Sequence, residues 1–177
     1  MVSLADLLPP AKGILPYYML FYCLQLSLLA IGNSAQNYLT LHYSRRVYNG
    51  KFVKNPSLPP RSEKYNPEDS VKKFVPAPAG AKESETLDQG TPLAARCFGT
   101  WTLLTSVVRL YCAYHLHYAH MYDLAIWTYV IALGHFASEL FVFKSMTFGV
   151  PQAFPFTLAT VALIWMPQVR SFYVEAP

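Results

Sequence analysis

Two long stretches of this chain carry no charged residue, and they restrict its fold more than any other feature of the sequence. One lies between Lys12 and Arg45 and the other between Lys144 and Arg170, with no Asp, Glu, Lys or Arg inside either stretch. A helix needs about 20 predominantly apolar residues to cross the hydrocarbon core of a bilayer. Both stretches exceed that length, so the sequence predicts an integral membrane protein.

The apolar segments together predict an all-α fold, a four-span transmembrane helical bundle that forms one membrane domain over residues 1–177. The predicted spans cover about 14–39, 93–117, 121–143 and 146–167. The second span is interrupted, because only twelve uncharged residues separate Arg96 from Arg109, and they form about 18 Å of helix. At least one of these arginines must therefore lie at membrane depth or extend its side chain to the bilayer surface.

Most of the charge lies between the first two predicted spans. Residues 45–90 hold nine of the fourteen Lys and Arg, six of the ten Asp and Glu, and six prolines. Such a segment buries too little apolar surface to offset the entropy of ordering, so we predict a flexible, disordered loop over about 45–90. It serves either as a solvated linker or as a peptide that docks a partner. Basic residues at its start, together with Lys144 in the third connection, favour a cytosolic position for both connections.

Few residue patterns typical of cofactor chemistry are present. The eight glycines lie too far apart for a phosphate-binding loop, and the net charge of +4 comes mostly from the loop, so it does not indicate nucleic acid. Cys23, Cys97 and Cys112 lack the CxxC spacing, which favours thiols packed among apolar residues over a redox or metal role. We expect no cofactor.

Three histidines lie close together near the predicted turn between the second and third spans. They are His115, His117 and His120, and tyrosines surround them. Amphipathic rings collect at a bilayer surface, which favours an interfacial position over a metal site. The chain has five histidines in all, fewer than the clusters of a membrane di-iron oxygenase require. We expect no metal.

Five ionisable residues lie inside the second and third predicted spans. They are Arg96, Arg109, Asp123, His135 and Glu139. In an antiparallel hairpin that turns near residue 117, Arg96 lies level with Glu139, and Arg109 lies level with Asp123. An isolated charge costs about 3 kcal/mol at the bilayer centre, so we predict these two structural ion pairs, with His135 adding a hydrogen bond one turn from Glu139. A functional acid or proton relay and contact with a partner are the alternatives.

Two further patterns concern contacts between helices. Small residues one helical turn apart allow close approach, and three such steps are Ala30 with Ser34, Ala95 with Gly99, and Gly134 with Ser138. Aromatic side chains in the spans offer large, rigid contact area to other membrane helices; they are Trp101, Trp127, Tyr129, Phe136 and Phe141.

Three segments resemble the signature segments of the ergosterol biosynthetic protein 28 family. They are ARCFGTWTLLTSVVR at 95–109, IWTYVIALGHFASELFVF at 126–143 and, more loosely, IGNSAQNYL at 31–39. The fourth predicted span shares little with that family beyond hydrophobicity. Residues from about 55 to 88 look like an insertion relative to its shorter members, so the resemblance implies nothing about them.

The resemblance implies a multi-pass protein of the endoplasmic reticulum membrane with no catalytic activity of its own. Members of the family are understood as scaffolds that gather the enzymes of sterol C-4 demethylation. The implied partners are the sterol C-4 methyl oxidase, the C-3 sterol dehydrogenase that acts as C-4 decarboxylase, and the 3-ketosteroid reductase. Membrane lipid is a further expected partner, self-association is left open, and nucleic acid is not expected.

Two other functions stay open at this point. A small membrane enzyme would use His135 and Glu139 as acid and base, and would need a pocket and a second catalytic group. A sterol-binding or transport module would use the polar residues of the second and third spans, and would need a lipid-sized cavity between them. The resemblance implies no role for Arg96, Arg109, His135 or Glu139.

Overall fold

The computed structural model describes residues 14–174, with side chains from Tyr22 onward, and most of this part of the chain is helical, as predicted. The helices are α1 (Ile14–Leu39), α2 (His42–Val47), α3 (Pro92–Tyr114), α4 (Ala119–Ala137, extended by a π-helical turn over Ser138–Val142) and α5 (Val150–Tyr173). Two short strands, β1 (Phe52–Lys54) and β2 (Phe74–Pro76), lie between α2 and α3.

Local sequence explains where α3 and α4 begin and end. Thr91 caps α3, because its hydroxyl accepts the Ala94 backbone N–H at 3.1 Å, and the proline that follows suits the first helical position. Residues 115–118 form the short turn to α4, and so short a connection makes the two helices antiparallel neighbours. The predicted turn near residue 117 is therefore confirmed.

Two helices in the described part of the chain are long and apolar enough to cross a membrane. They are Ala119–Val142 and Val150–Tyr173, which match the third and fourth predicted spans. The bounds of α1 and α3 follow the first two predicted spans within a few residues.

The closest helix contact joins α1 to α3. The Ser34 hydroxyl donates a hydrogen bond to the Gly99 carbonyl, and the Tyr38 and Thr100 hydroxyls share another at 2.6 Å. A Cβ atom at Gly99 would lie 3.1 Å from the Tyr38 ring, so glycine is what permits this approach. The small residues predicted to bring helices together do so at Ser34 and at the Ala95–Gly99 step.

The core lies where α1, α3, α4 and α5 meet. Its buried members include Cys23, Leu26, Cys112, Tyr122, Tyr129, Ala162 and Met166. Two tyrosines satisfy their hydroxyls on α5: the partly buried Tyr22 donates to the Leu158 carbonyl at 2.6 Å, and the buried Tyr122 donates to the Met166 carbonyl at 2.7 Å. These bonds fix the position of α5 along the axes of its neighbouring helices. A shift of α5 would leave the hydroxyls unpaired, which costs free energy.

The predicted flexible, disordered loop over about 45–90 is not confirmed, because the segment between α2 and α3 contains ordered pairing. Strand β1 pairs antiparallel with β2, and Phe52, which is 4% exposed, exchanges two backbone hydrogen bonds with Leu87. Arg45 and Asp88 form an ion pair at 3.4 Å. The physical reason is that the packing of α1 on α3 already brings the two ends of the segment together, so pairing residues near those ends costs little closure entropy. Residues 55–73 contain turns, an isolated bridge and a short 3₁₀ turn.

The segment that follows α2 lies against the connection between α4 and α5, so both connections occupy the same end of the bundle, as predicted. The Gly50 N–H donates to the Ser145 carbonyl, and the Thr147 N–H donates to the Asn49 side chain, each at 2.8 Å. A Cβ at Gly50 would lie 2.6 Å from the Lys144 carbonyl oxygen, so no larger residue fits at this crossing.

Limited trypsin digestion of sealed vesicles with the cytosolic face outward tests this description of the segment. We expect the first cuts at the exposed residues Arg61 and Lys64, which lie between the two strands, because that stretch has few tertiary contacts to hold it. The fragments are identified by mass spectrometry. A first cut at Lys144 would contradict the expectation, and cutting that begins only after detergent is added would put the segment in the lumen.

Candidate functional site

Four polar side chains lie next to one another at the end of the bundle where the two connections meet, and we call them the polar network. The Tyr48 hydroxyl lies 2.7 Å from His135 Nε2. On the other side of the ring, His135 Nδ1 lies 3.9 Å from Glu139 Oε1. Glu139 Oε2 accepts a hydrogen bond from the Ser145 hydroxyl at 2.5 Å. The network therefore joins α4 to the segment after α2 and to the connection before α5.

The backbone holds this network rigidly. Tyr48 follows α2, whose last turn is held by Gln152 on α5, since the side-chain amide of Gln152 donates to the Val47 carbonyl at 2.7 Å. Glu139 lies in the π-helical turn Ser138–Val142 that ends α4, and its carbonyl accepts the Ser145 N–H at 3.0 Å. Single π-helical turns inside or at the end of α-helices are frequent at functional sites.

The protonation of the network follows from its surroundings. Burial raises the pKa of the Tyr48 hydroxyl above its ordinary value, and the negative charge of Glu139 raises it further. Tyr48 is therefore protonated at neutral pH, and its hydroxyl can donate a hydrogen bond to His135 Nε2. When Nε2 of a neutral imidazole accepts this bond, the one ring proton is on Nδ1, facing Glu139. A hydrogen-bond donor and a carboxylate acceptor thus lie side by side at a separation too long for a direct hydrogen bond.

A cavity of about 480 Å³ lies between α3 and α4 and reaches this network. Aromatic rings form part of its wall: Phe98 meets Tyr48 edge to face at 5.4 Å, and the Trp101 ring lies 5.3 Å from the His135 ring. Ala94 and Ala95 also line the wall. Ligand pockets in proteins have volumes of about 300–1,000 Å³ and are mostly apolar with a few polar groups. This cavity fits that description.

The predicted pair of Arg109 with Asp123 is wrong. Arg109 Nε donates to the Thr128 hydroxyl at 3.0 Å, and its guanidinium lies 4.2 Å from the centre of the Tyr129 ring. Asp123 instead forms two hydrogen bonds with Arg170 of α5, at 3.0 and 3.1 Å. Asp123 and Thr128 are five residues apart and so occupy different faces of α4. Equal depth in the hairpin was therefore not sufficient for pairing.

The structure does not bring Arg96 and Glu139 together either. Ala95 and Gly99 form the buried face of α3, and Arg96 is exposed beside it. Across the described residues, ion pairs involve Arg45 with Asp88, Arg170 with Asp123, and His135 with Glu139. The predicted proximity of His135 and Glu139 on one helix face is confirmed, whereas the structural role predicted for the five ionisable residues stays a prediction.

Two groups of residues predicted to carry contacts or chemistry have other positions. Tyr129 and Phe136 are 1% and 5% exposed, so they belong to the core and are not available to other proteins. The histidines of the α3–α4 turn lie around Tyr118, whose ring centre is 4.0 Å from that of His117. Over the part of the chain that the structure describes, no group of three or more His, Cys, Asp or Glu residues is arranged to hold a metal ion.

Comparison with known proteins connects the fold to a family. The family model described as "Erg28 like protein" matches residues 15–164. A Gibberella zeae protein named ergosterol biosynthetic protein 28 is 57% identical over 175 residues, which cover 99% of each chain. The chain belongs to the Erg28 family. No solved structure matches it.

More distant relatives carry the same family name. The Saccharomyces cerevisiae ergosterol biosynthetic protein 28 is 31% identical over 163 residues, which are 92% of this chain and 84% of that protein. The human ergosterol biosynthetic protein 28 homolog is 42% identical over 74 residues, 42% of this chain and 53% of that protein. Tyr48, His135, Glu139 and Ser145 all lie within the part of the chain that the Erg28 family model matches.

Charge reversal tests which residue pairs with Asp123. Asp123→Arg places two like charges together at the α4–α5 contact, so we expect a modest loss of folded, membrane-inserted protein. Adding Arg170→Asp restores the opposite charges and should recover part of the loss, whereas adding Arg109→Asp should not. The amount of monodisperse protein after gentle solubilisation is measured by size-exclusion chromatography. Equal recovery by both second changes would contradict the observed pairing.

Proposed function

We propose that this protein is a non-catalytic scaffold of the endoplasmic reticulum membrane that gathers the enzymes of sterol C-4 demethylation. It crosses the membrane four times, through α1, α3, α4 and α5, and keeps both connections in the cytosol. Its partners are the sterol C-4 methyl oxidase, the C-3 sterol dehydrogenase that acts as C-4 decarboxylase, and the 3-ketosteroid reductase. The names of its Erg28 relatives as ergosterol biosynthetic proteins support the pathway.

Apolar side chains that point away from the bundle support the four-span arrangement. Large exposed hydrophobic residues occur on all four long helices, including Leu28, Leu104, Trp127 and Ile164. A soluble protein rarely exposes so much contiguous apolar surface. In a bilayer the same side chains face lipid or other membrane helices at no cost.

The observation that carries the scaffold proposal is a surface on the outer side of α4. We define the α4 outer face as Leu124, Trp127 and Gly134, which follow one another at helical spacing. Leu124 is 44% exposed and Trp127 is 60% exposed. Aromatic residues with large rigid surfaces dominate the energy of helix and protein contacts.

Gly134 gives the α4 outer face a notch. A Cβ added there would meet no atom of the described chain within 4 Å, so this glycine has no packing role inside the bundle, in contrast to Gly99. Small residues on a membrane helix allow the backbone of another helix to approach closely. The Gly134–Ser138 step is thus a recognition surface for a helix of another protein.

Two matched glycine substitutions test this surface. Gly134→Leu fills the notch, and we expect it to lower the recovery of at least one partner enzyme severalfold when the tagged protein is captured from gently solubilised membranes. Gly32→Leu on α1 is the control, because a Cβ there also meets nothing within 4 Å. Both variants should insert and fold like the wild type, since neither added side chain meets the bundle.

The capture experiment has clear contrary outcomes. Failure of the wild-type protein to recover any of the three enzymes would overturn the scaffold proposal. If the Gly134→Leu and Gly32→Leu variants recover equal amounts of the partner enzymes, the α4 outer face is not the surface that binds them.

Sterol composition provides an independent prediction. A scaffold speeds transfer between enzymes without supplying a reactive group, so loss of the protein should reduce flux while each chemical step continues. We expect 4-methylated sterol intermediates to accumulate and the end product to fall but persist, as measured by gas chromatography and mass spectrometry. Complete loss of a single step, with the enzyme for that step still abundant, would instead indicate that the protein itself is catalytic.

A further inference from the structure

The lining of the cavity between α3 and α4 combines two kinds of chemistry, which the scaffold function leaves unexplained. The side chains of Tyr48, His135, Glu139 and Ser145 supply polar groups. Phe98, Trp101 and Ile131 supply apolar surface beside them, and the Trp101 ring lies 5.3 Å from the His135 ring. Ile131 lies one helical turn from His135 along α4. A ligand that matches both parts of the lining needs a small polar head and an apolar body.

The polar part of the lining is suited to a single hydroxyl group. His135 Nε2 is occupied by Tyr48, and Glu139 Oε2 is occupied by Ser145. His135 Nδ1–H and Glu139 Oε1 remain, 3.9 Å apart. One hydroxyl oxygen placed beside them accepts a hydrogen bond from Nδ1–H and donates its own proton to Oε1. A ketone accepts the first bond but has no proton for the carboxylate.

The apolar part of the lining is suited to a flat, rigid body. Ala94 and Ala95 on α3 have small side chains, while the Trp101 and Phe98 rings provide broad, flat surfaces. A rigid ring system loses little conformational entropy when it enters such a slot, whereas flexible acyl chains lose much more. The exposed residues Cys97 and Ile131 at the edge of the cavity provide a route from the surrounding bilayer.

We propose that this cavity binds one sterol molecule, with the sterol C-3 hydroxyl between His135 Nδ1 and Glu139 Oε1 and the ring system between α3 and α4. The proposal rests on the proposed function, because the partner enzymes act on sterols, and it adds a direct ligand to the scaffold. The site distinguishes the C-3 alcohol from the C-3 ketone, so the protein holds pathway sterols only at their alcohol stages.

Photo-crosslinking with competition tests the ligand class. The purified full chain is placed in phosphatidylcholine nanodiscs with a photoreactive, alkyne-bearing cholesterol analogue, and labelled peptides are identified by mass spectrometry. We expect labelling on residues 94–101 and 131–139. Excess cholesterol should suppress it, while 5α-cholestan-3-one should compete about tenfold less well or worse, because it leaves a charged acceptor without a partner.

Variants of the chain test the same contact from the protein side. Glu139→Leu should weaken the competition by cholesterol and remove the preference for alcohol over ketone. Asp123→Leu is the matched control, since it removes a carboxylate from the other end of α4 and should leave both unchanged. If Glu139→Leu does not fold, the comparison of alcohol with ketone on the wild type still decides the question.

Three results would overturn the proposal. Equal competition by cholesterol and 5α-cholestan-3-one would exclude recognition of the hydroxyl. Equal competition by dioleoylglycerol would exclude the rigid ring, and labelling confined to other peptides would exclude this cavity. Enzyme capture by the Gly134→Leu and Gly32→Leu variants is a separate measurement, so failure of sterol binding and failure of the scaffold proposal are distinguished.

Discussion

The close contact between α1 and α3 is the constraint on which the rest of the structure depends. Gly99 presents its bare backbone to Ser34, and the Ser34 hydroxyl bonds to the Gly99 carbonyl. Small residues allow this approach, and a hydrogen bond between helices is favoured where no water competes for it. With α1 and α3 antiparallel and in contact, the end of one helix lies beside the start of the other. The two ends of the long segment between them therefore lie close together. The Arg45–Asp88 ion pair joins these two ends.

That arrangement also builds the polar network. The segment after α2 returns across the end of the bundle, crosses the α4–α5 connection at Gly50, and brings Tyr48 to His135. Buried polar groups are tolerated when each finds a partner. Here His135 finds its partner Tyr48 in a part of the chain 87 positions away, whereas Glu139 bonds to Ser145 in the connection that follows its own helix. The network therefore depends on the start of the segment between α2 and α3, which the positions of the membrane spans alone would identify only as a linker.

Helix α4 presents different chemistry on its different sides, and this division organises the functional proposals. Its outer face carries Trp127 and the notch at Gly134, which suit a helix of another protein. The side toward α3 carries His135 and Glu139, which suit the hydroxyl group of a small apolar ligand. Because both surfaces lie on one rigid helix, a bound sterol and a bound enzyme would lie within a few helical turns of each other.

The sequence alone was sufficient for the features that depend on composition and local spacing. The charge-free stretches predicted the long helices, the short turn near residue 117 predicted an antiparallel hairpin, and i, i+4 spacing put Glu139 beside His135. The partners of the charged residues were decided only by the tertiary structure. Depth in a hairpin follows from residue number, but the side of a helix that faces a neighbour depends on how all the helices pack. Asp123 therefore pairs with Arg170 on a helix outside the predicted hairpin. Tyr48 reaches His135 for the same reason: no local period relates two residues 87 positions apart, and only the packing of the helices and their connections brings them together.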